Sequence, residues 1–209
     1  HIWMRGMTAQ WMGVTGSHAN SVAPLLISTE QGYFKSTFCK SLLPPALQRY
    51  YMDKVDLTSQ GHIERRLAEM GLLNLDEFDT LSPARMQELK SLITQDVMNE
   101  RKVYDIQNYT FIRRASFIAS TNNPHCLPDI GENRRILFNT LLEIDYHTPV
   151  NHQGIYAQAY ALYRQGFQYW YENQEITFLN NRNEAFRQKD PVEENLFFYF
   201  RAARPNDIQ

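Results

Sequence analysis

Short apolar runs separated by amphipathic stretches recur along this chain. Three runs, residues 22–27, 71–75 and 115–120, have the character of buried strands, and shorter runs at residues 50–52 and 136–138 are further candidates. Strands of a parallel sheet are covered by helices on both faces, so they appear as continuous apolar runs rather than as an alternation. The pattern therefore predicts an α/β fold with a mostly parallel sheet flanked by helices.

Helical spacing predicts the segments that connect the strands. Candidate helices lie within residues 1–20, 37–43, 59–70 and 82–94. Ser82 is an expected N-cap, and Pro83 suits the first turn that follows it. Residues 99–114 interleave basic, aromatic and polar side chains and predict a β-hairpin.

The last quarter of the chain has a helical pattern throughout. We expect helices over residues 155–172, 180–188 and 191–202. The chain therefore divides into a helical lead-in, a core and a helical C-terminal appendage, at residues 1–20, 21–150 and 151–209.

Composition narrows the class of protein. The chain has 209 residues, of which 43% are hydrophobic and 21% charged, enough for one sizeable domain. Its net charge of -2 means that any nucleic-acid surface must be a local patch. No apolar run reaches the roughly 20 residues of a membrane helix, so we expect no membrane partner.

The two cysteines indicate the redox compartment that we expect for the protein, and the first residue indicates whether a segment precedes this sequence. Cys39 and Cys126 have no second cysteine at metal-ligand spacing, which argues against zinc and favours a reducing, cytoplasmic compartment. No secretory signal is visible. The chain begins with His1 rather than Met, which suggests that an upstream segment is missing.

A phosphate-binding loop is the first candidate site. Residues 25–37 run from an apolar strand through a tight loop into Lys35-Ser36-Thr37 at a helix start. In such loops the lysine reaches the β- and γ-phosphates and the hydroxyl ligates Mg²⁺. The pattern G-x-x-x-x-G-K-[ST] would place glycine where this chain has Thr29 and Phe34, and Gly32 supplies the remaining backbone freedom. The alternative is an ordinary helix start.

Two carboxylates follow the second buried strand. Asp76 and Glu77 stand just beyond residues 72–75, where open α/β sheets bind their ligands. Asp76 would hold the Mg²⁺ shell, and Glu77 would orient and deprotonate the attacking water. The alternative is a pair of solvated charges at a strand end.

An amide and two arginines complete the series. Asn122 follows the third buried strand, where it could lie between a γ-phosphate and water. Arg134 and Arg135 precede the last apolar run, and one of them could stabilise transition-state charge at a neighbour's site. The alternatives are an Asn-Asn-Pro turn and a solvated arginine pair.

The predicted hairpin is a candidate DNA surface. Basic side chains follow phosphates and aromatic rings stack on bases, which suits single-stranded DNA. The candidate contacts are Arg101, Lys102, Tyr104, Arg113 and Arg114. The alternative is a surface hairpin with ordinary cross-strand pairs.

In this order and spacing, the motifs resemble those of a known family. The segments that carry the resemblance are Gln31-Gly32, Lys35 to Phe38, Leu42 to Pro45, Leu73 to Asp79, Ala115 to Ile118, Thr121-Asn122 and Arg134-Arg135. They look like the virulence-associated protein E family, P-loop ATPases of mobile elements and phages that are similar to superfamily 3 helicases and primase-helicases. The resemblance covers about residues 10–200.

The resemblance implies a P-loop NTPase of AAA+ or superfamily 3 helicase type with strand order 5-1-4-3-2. It implies ATP and Mg²⁺ as cofactors, a homo-oligomeric ring acting on DNA, and an upstream primase-like domain. Carried over by position, Lys35 and Ser36 match the P-loop, and Asp76 and Glu77 match the acidic motif. Asn122 matches the amide sensor, and Arg134 or Arg135 matches the arginine finger.

The leading hypothesis is thus an ATP-dependent DNA helicase or translocase domain of a mobile-element or phage replication protein. Phe34 departs from the family pattern, because glycine usually precedes the lysine. The rival hypothesis is therefore a degenerate P-loop domain that acts as a non-hydrolysing DNA-binding or assembly module. A third is a regulatory or defence ATPase that acts on protein.

Overall fold

A five-stranded sheet forms the centre of this computed structural model. The structure describes residues 1–200 except 17, 31, 56, 58–61, 102–107, 128–132, 189–191, 193–195 and 197, with the backbone alone at 62, 100, 101 and 108. The strands of the central sheet are β1 (Ala23–Ile27), β2 (Tyr51–Asp53), β3 (Leu72–Leu75), β6 (Ser116–Thr121) and β7 (Ile136–Thr140). A separate antiparallel hairpin consists of β4 (Val97–Arg101) and β5 (Asn108–Ile112).

All neighbouring strands of the central sheet are parallel, in the order β2-β3-β6-β1-β7. Counted along the chain within this sheet, that order is 5-1-4-3-2, which the resemblance implied. The prediction of a mostly parallel sheet flanked by helices is confirmed. All five strands therefore end on the same side of the molecule, which we call the carboxyl end of the sheet.

Six α-helices surround the sheet in the described part of the chain. They are α1 (Ile2–Met12), α2 (Lys35–Ser41), α3 (His62–Glu69), α4 (Pro83–Thr94), α5 (His152–Arg164) and α6 (Asn173–Asn183). The side chain of Ser82 accepts a hydrogen bond from the backbone N–H of Arg85, so the predicted N-cap of α4 is confirmed.

The predicted C-terminal helices had the wrong bounds. Gly166 adopts a left-handed φ of 76°, and it follows the end of α5 instead of continuing that helix to residue 172. Glu172 and Glu175 then form a capping box that begins α6 earlier than residue 180. Part of the third predicted helix, residues 191–202, lies outside the described residues.

Two apolar cores lie on opposite faces of the sheet. Leu25 and Ile27 of β1 enter one core, and Leu26 between them enters the other, as the two-residue repeat of a strand requires. The first core includes Leu67 of α3 and Leu89 of α4. The second core is filled from α1, α2 and α5, with Trp3, Met7, Cys39 and Tyr156 among its members. The helices thus cover both faces.

The last helix covers the outer side of β7. Arg182 donates to the carbonyl of Phe138 at 2.9 Å, and the buried side chain of Asn183 donates to the carbonyls of Asn133 and Ile136. These contacts satisfy backbone acceptors that face away from β1. Among the described helices, none is both long enough and apolar enough to cross a bilayer.

Candidate functional site

The carboxyl end of the sheet brings three predicted residues together. Lys35 begins α2 just after β1, Asp76 follows β3 directly, and Asn122 follows β6 directly. Because β1 and β3 both pair with β6 in parallel register, their ends lie side by side. The three side chains, which the motifs assign to one nucleotide site, therefore converge at this end of the sheet.

Lys35 lies at the centre of this group. Its Nζ donates to Ser28 Oγ at 2.6 Å and to Asn122 Oδ1 at 2.5 Å. Burial lowers the pKa of the Lys35 ammonium, while the nearby negative charge of Asp76 opposes the shift. The first residue of α2 thus places a positive charge at the carboxyl end of the sheet. The side-chain oxygens of Ser28 and Asn122 hold the ammonium in position.

Hydroxyl groups of β6 hold two of the acidic side chains. Ser120 Oγ donates to Asp76 Oδ1 at 2.6 Å, and Thr121 Oγ1 donates to Asp79 Oδ1 at 2.6 Å. Ser120 and Thr121 are buried, so their positions are fixed by the sheet. The two carboxylates are consequently oriented from the neighbouring strand.

Glu77 has an unusual backbone. Its φ of 53° and ψ of 46° place it in the left-handed region, and the residue is exposed. A non-glycine residue there costs roughly 1–2 kcal/mol, and such strain is concentrated at functional sites. The backbone N–H of Glu77 donates to Asp76 Oδ1 at 3.2 Å, which links the two acidic residues.

Phe34 has a left-handed backbone, the region of φ that favours glycine. Its φ is 53° and its ψ is 28°, immediately before α2, and Gly32 two residues earlier has a φ of 87°. The phenyl ring lies against Tyr146, with 4.2 Å between ring centroids. A bulky residue at positive φ is an outlier. At Phe34 this backbone conformation occurs together with the ring contact to Tyr146.

The site contains oxygen ligands of the kind that Mg²⁺ prefers. Ser36 stands in the first turn of α2, half-buried, and Asp76 is half-buried at the end of β3. Within the described residues, no cluster of three or more His, Cys, Asp or Glu side chains could hold a metal ion by itself. One carboxylate and one hydroxyl nevertheless fit Mg²⁺, because this ion usually takes its other ligands from phosphates and water.

Cysteine chemistry is suppressed in the core. Cys39 and Cys126 are free thiols, and both are buried. Burial raises the pKa of each thiol to about 12, with Asp53 adding to the shift at Cys39 and Asp79 at Cys126. They are protonated at neutral pH and serve packing.

Arg134 and Arg135 lie at the opposite end of the sheet. They immediately precede β7, and the carbonyl of Arg135 accepts from the backbone N–H of Ala23 at the start of β1. Both arginines line a cavity of about 230 Å³ together with His18 and Trp170, whose rings stack at 4.1 Å. As predicted, they are far from the Lys35 of their own chain.

The predicted hairpin exists, but it is only partly described. The backbone of Arg101 ends β4, whereas Lys102 and Tyr104 lie outside the described residues. Arg114 is half-buried and donates to the carbonyl of Trp11 in α1. The role of these residues in DNA binding stays a prediction.

Arg113 is a correction to the predicted DNA surface. It has 0% of its surface exposed, and its guanidinium donates to the Leu92 carbonyl, to Gln10 Oε1 and to the Asn20 carbonyl. Burial lowers the pKa of the Arg113 guanidinium to about 9, opposed by Asp96, so the group remains charged at neutral pH. A side chain enclosed in this way cannot contact DNA, and the prediction for Arg113 was wrong.

With this geometry known, comparison with other proteins identifies the family. The profile of the virulence-associated protein E-like domain matches residues 1–188. The chain belongs to the virulence-associated protein E-like family. The resemblance inferred from the motifs is thereby confirmed.

Solved structures related to this VapE-like domain share little sequence with it. The apo structure of the NrS-1 C-terminal region (305–718) has 17% identity and a TM-score of 0.47, over 85% of this chain and 47% of that one. An A-form apo structure of the same region has 14% identity and a TM-score of 0.48, over 94% and 48%. The VapE-like chain therefore spans about half the length of these solved regions. No curated protein matches it significantly.

Sequence reasoning missed several residues of the VapE-like site. Ser28, Ser120 and Thr121 position Lys35 and the carboxylates, and each is a polar residue in the last positions of an apolar run. That placement is a usable signal. No sequence signal marks the contact of Tyr146 with Phe34, because Tyr146 lies in an irregular segment more than a hundred residues away.

Proposed function

We propose that this domain is a P-loop NTPase of AAA+ or superfamily 3 helicase type that binds ATP with Mg²⁺ and hydrolyses it. The observation that carries the proposal is the meeting of Lys35 Nζ with Asn122 Oδ1 at 2.5 Å, beside an oriented Asp76. A cation, an amide and a carboxylate at the ends of three adjacent parallel strands are the groups that phosphoryl transfer requires.

Lys35 binds the β- and γ-phosphates in this proposal. Its ammonium is held by two neutral oxygen acceptors, Ser28 Oγ and Asn122 Oδ1. Phosphate oxygens are stronger acceptors for an ammonium than these groups, because they carry negative charge and attract the cation by Coulomb interaction as well. Nucleotide would thus draw Lys35 away from Asn122 and free that amide to orient the attacking water.

Glu77 is the proposed general base, and Asp76 with Ser36 would hold Mg²⁺. When bound, the ion neutralises charge that develops on the phosphates. Asp76 is oriented by Ser120 and by the backbone N–H of Glu77, so its carboxylate has little freedom to turn. Glu77 is exposed at the strand end, where water can reach it.

The biological setting is also part of the proposal. Membership of the virulence-associated protein E-like family supports a role in replication of a mobile element or phage. Arg134 and Arg135 at the amino end of the sheet are compatible with a ring in which they complete a neighbour's site. The hairpin would contact single-stranded DNA through Arg101, Lys102 and Arg114.

The test is ATP binding with Mg²⁺, compared between the parent protein, Lys35→Ala and Phe34→Gly. We expect the parent to bind ATP and Lys35→Ala to bind it much more weakly, because the substitution removes the charge that faces the phosphates. Arg65→Ala is a matched control, since Arg65 is a surface cation in an exposed pair with Glu69. A parent that binds no more ATP than Lys35→Ala contradicts the proposal.

A second candidate function is a non-hydrolysing DNA-binding or assembly module. It is favoured by Phe34, which places a side chain and a strained backbone just before Lys35. If this candidate is correct, the parent fails to bind ATP and Phe34→Gly restores binding. If Phe34→Gly changes binding little, the altered loop functions with its aromatic residue.

A further inference from the structure

A side-chain hydrogen bond joins the turn that carries Glu77 to the strand end that carries Asn122. Thr121 Oγ1 donates to Asp79 Oδ1 at 2.6 Å, the length of a charge-assisted O–H···O⁻ bond. Asp79 is half-buried two residues after Glu77, and Thr121 directly precedes Asn122 with 2% of its surface exposed. The bond therefore lies within two residues of both side chains that the proposed function assigns to the attacking water.

The Asp79 carboxylate determines how the Thr121 hydroxyl can bond to the chain that follows it. A carboxylate only accepts hydrogen bonds, so the hydroxyl proton points to Asp79 and the lone pairs of the hydroxyl stay available as acceptors. The hydroxyl accepts from the backbone N–H of Asn123 at 3.0 Å. The backbone on both sides of Asn122 is thus held by one side chain, and that side chain is oriented by Asp79.

The turn on the other side of this bond is also held firmly. Asp79 lies in the 3₁₀ turn Phe78–Thr80, which begins directly after Glu77. The backbone N–H and the hydroxyl of Thr80 donate to the Glu77 carbonyl at 2.9 and 2.8 Å. Phe78 is fully buried in the first core. The backbone of Glu77 is therefore tied to Asp79 through a short, anchored turn.

The proposed reaction removes one support from Asn122. Its side-chain oxygen accepts from Lys35 Nζ at 2.5 Å, and the proposed function requires this contact to break when Lys35 turns to the phosphates. Alternation along β6 directs the Thr121 side chain to the face of the sheet opposite α2. The bond to Asp79 can therefore persist while Lys35 changes partner.

We propose that Asp79 is a positioning residue for ATP hydrolysis, which acts through Thr121 to set the spacing between Glu77 and the Asn122 amide. The inference rests on the proposed function, because it concerns the water that these two groups orient. Asp79 itself touches neither ATP nor that water. Since a small displacement of a reacting group lowers the rate strongly, loss of the bond affects the chemical step more than it affects nucleotide binding.

The experiment separates the chemical step from nucleotide binding. Single-turnover hydrolysis and equilibrium binding of ATP with Mg²⁺ would be measured on the parent, Asp79→Ala, Asp79→Asn, Thr121→Val, Thr121→Ser and Asp79→Ala/Thr121→Val. Thr121→Val removes the hydroxyl at nearly constant volume, and Thr121→Ser retains it. Thr177→Val is the matched control, because the Thr177 hydroxyl donates to a backbone carbonyl on the exposed surface of α6. Thermal unfolding of each variant checks that it is folded.

We expect Asp79→Ala and Thr121→Val each to slow hydrolysis roughly 10- to 100-fold and to change the Kd for ATP by no more than about twofold. The double variant should be no slower than the slower single variant, because both substitutions break the same bond. Asp79→Asn keeps an acceptor oxygen and should lose less activity than Asp79→Ala. Thr121→Ser and Thr177→Val should hydrolyse ATP as the parent does.

Three results overturn the inference while the proposed function stands. One is hydrolysis at the parental rate in Asp79→Ala or Thr121→Val. Another is full addition of the two losses in the double variant, which would mean that the residues act separately. The third is an equal loss of binding and hydrolysis in both single variants, which would mean that the bond supports the whole nucleotide site. A parent that hydrolyses no ATP overturns the proposed function, and the role of Asp79 in hydrolysis fails with it.

Discussion

Lys35 and Asn122 are 87 positions apart in the sequence, yet the lysine ammonium donates to the amide oxygen at 2.5 Å. The contact exists because β1 and β6 are parallel neighbours that end together. It places the Lys35 ammonium beside the Asn122 amide at the carboxyl end of the sheet.

Glu77→Gln should leave ATP binding largely intact and slow turnover about 100-fold or more. The substitution removes a proton acceptor but keeps the shape of the side chain and does not touch Lys35. Steady-state hydrolysis and equilibrium binding, measured on the same preparation, test this. Glu69→Gln, on the exposed surface of α3, is the control and should match the parent. Unchanged turnover in Glu77→Gln would mean that another group is the base.

Arg134→Ala/Arg135→Ala protein should regain activity when it is mixed with Lys35→Ala protein. The arginines lie at the amino end of the sheet and Lys35 at the carboxyl end, so a complete site would take its parts from two subunits. Lys35→Ala mixed with Glu77→Gln is the control, because both changes damage the same half of the site and no recovery is expected. Absence of recovery in the first mixture, despite proven co-assembly, counts against a shared site.

Arg101→Ala/Lys102→Ala should weaken binding to single-stranded DNA of any sequence and flatten its salt dependence. Each lost phosphate contact reduces the log–log slope by about 0.7. Anisotropy titrations at two salt concentrations measure the slope. Arg65→Ala/Arg66→Ala removes the same charge from exposed positions on α3 and should leave the slope unchanged. Equal slopes for the two double variants would show that the hairpin is only structural.

Arg113→Ala should destabilise the fold by about 2–4 kcal/mol. The substitution deletes three hydrogen bonds of a buried charged group, and Gln10 Oε1 and the carbonyls of Leu92 and Asn20 each lose one donor. Urea denaturation measures the loss. Arg65→Ala, on an exposed cation, should change stability by no more than about 0.5 kcal/mol. A similar, small effect at both positions would contradict the enclosed geometry of Arg113.

The two buried thiols should contribute less to stability as the pH rises above 9. The thiols of Cys39 and Cys126 have a pKa near 12 in the folded protein and 9.0 when unfolded. Between these values the unfolded chain has lost both thiol protons while the folded chain retains them, so added base favours unfolding. Urea denaturation at a series of pH values measures this slope. Cys39→Ala/Cys126→Ala should have a shallower slope between pH 9 and 12.

The carboxyl ends of the strands could be predicted because a polar residue directly follows each continuous apolar run. Continuous apolar runs followed by Asp76 or Asn122 identify buried parallel strands, and parallel strands end on the same side. The convergence of Lys35 with these residues followed from that rule alone. The hydroxyls of Ser28 and Ser120 stand at similar positions, but a serine near the end of an apolar run is less distinctive in sequence than a charged residue.

Other features could not be predicted because they depend on contacts across the chain. Arg113 lies in a basic and aromatic segment that suits an exposed strand, but α1 and its Gln10 enclose it. The break after α5 depends on the left-handed backbone of Gly166, which a helical pattern on both sides concealed. The contact of Phe34 with Tyr146 likewise depends on tertiary packing.

The hydrogen bonds from α6 to the outer side of β7 restrict how copies of this domain can associate. Arg182 and Asn183 occupy the carbonyls of Phe138 and Ile136, to which a strand from another molecule would have to bind. The sheet cannot be extended across subunits through β7 without first detaching α6. If copies of this domain associate while α6 stays in place, their contact must therefore use surfaces other than the β7 edge.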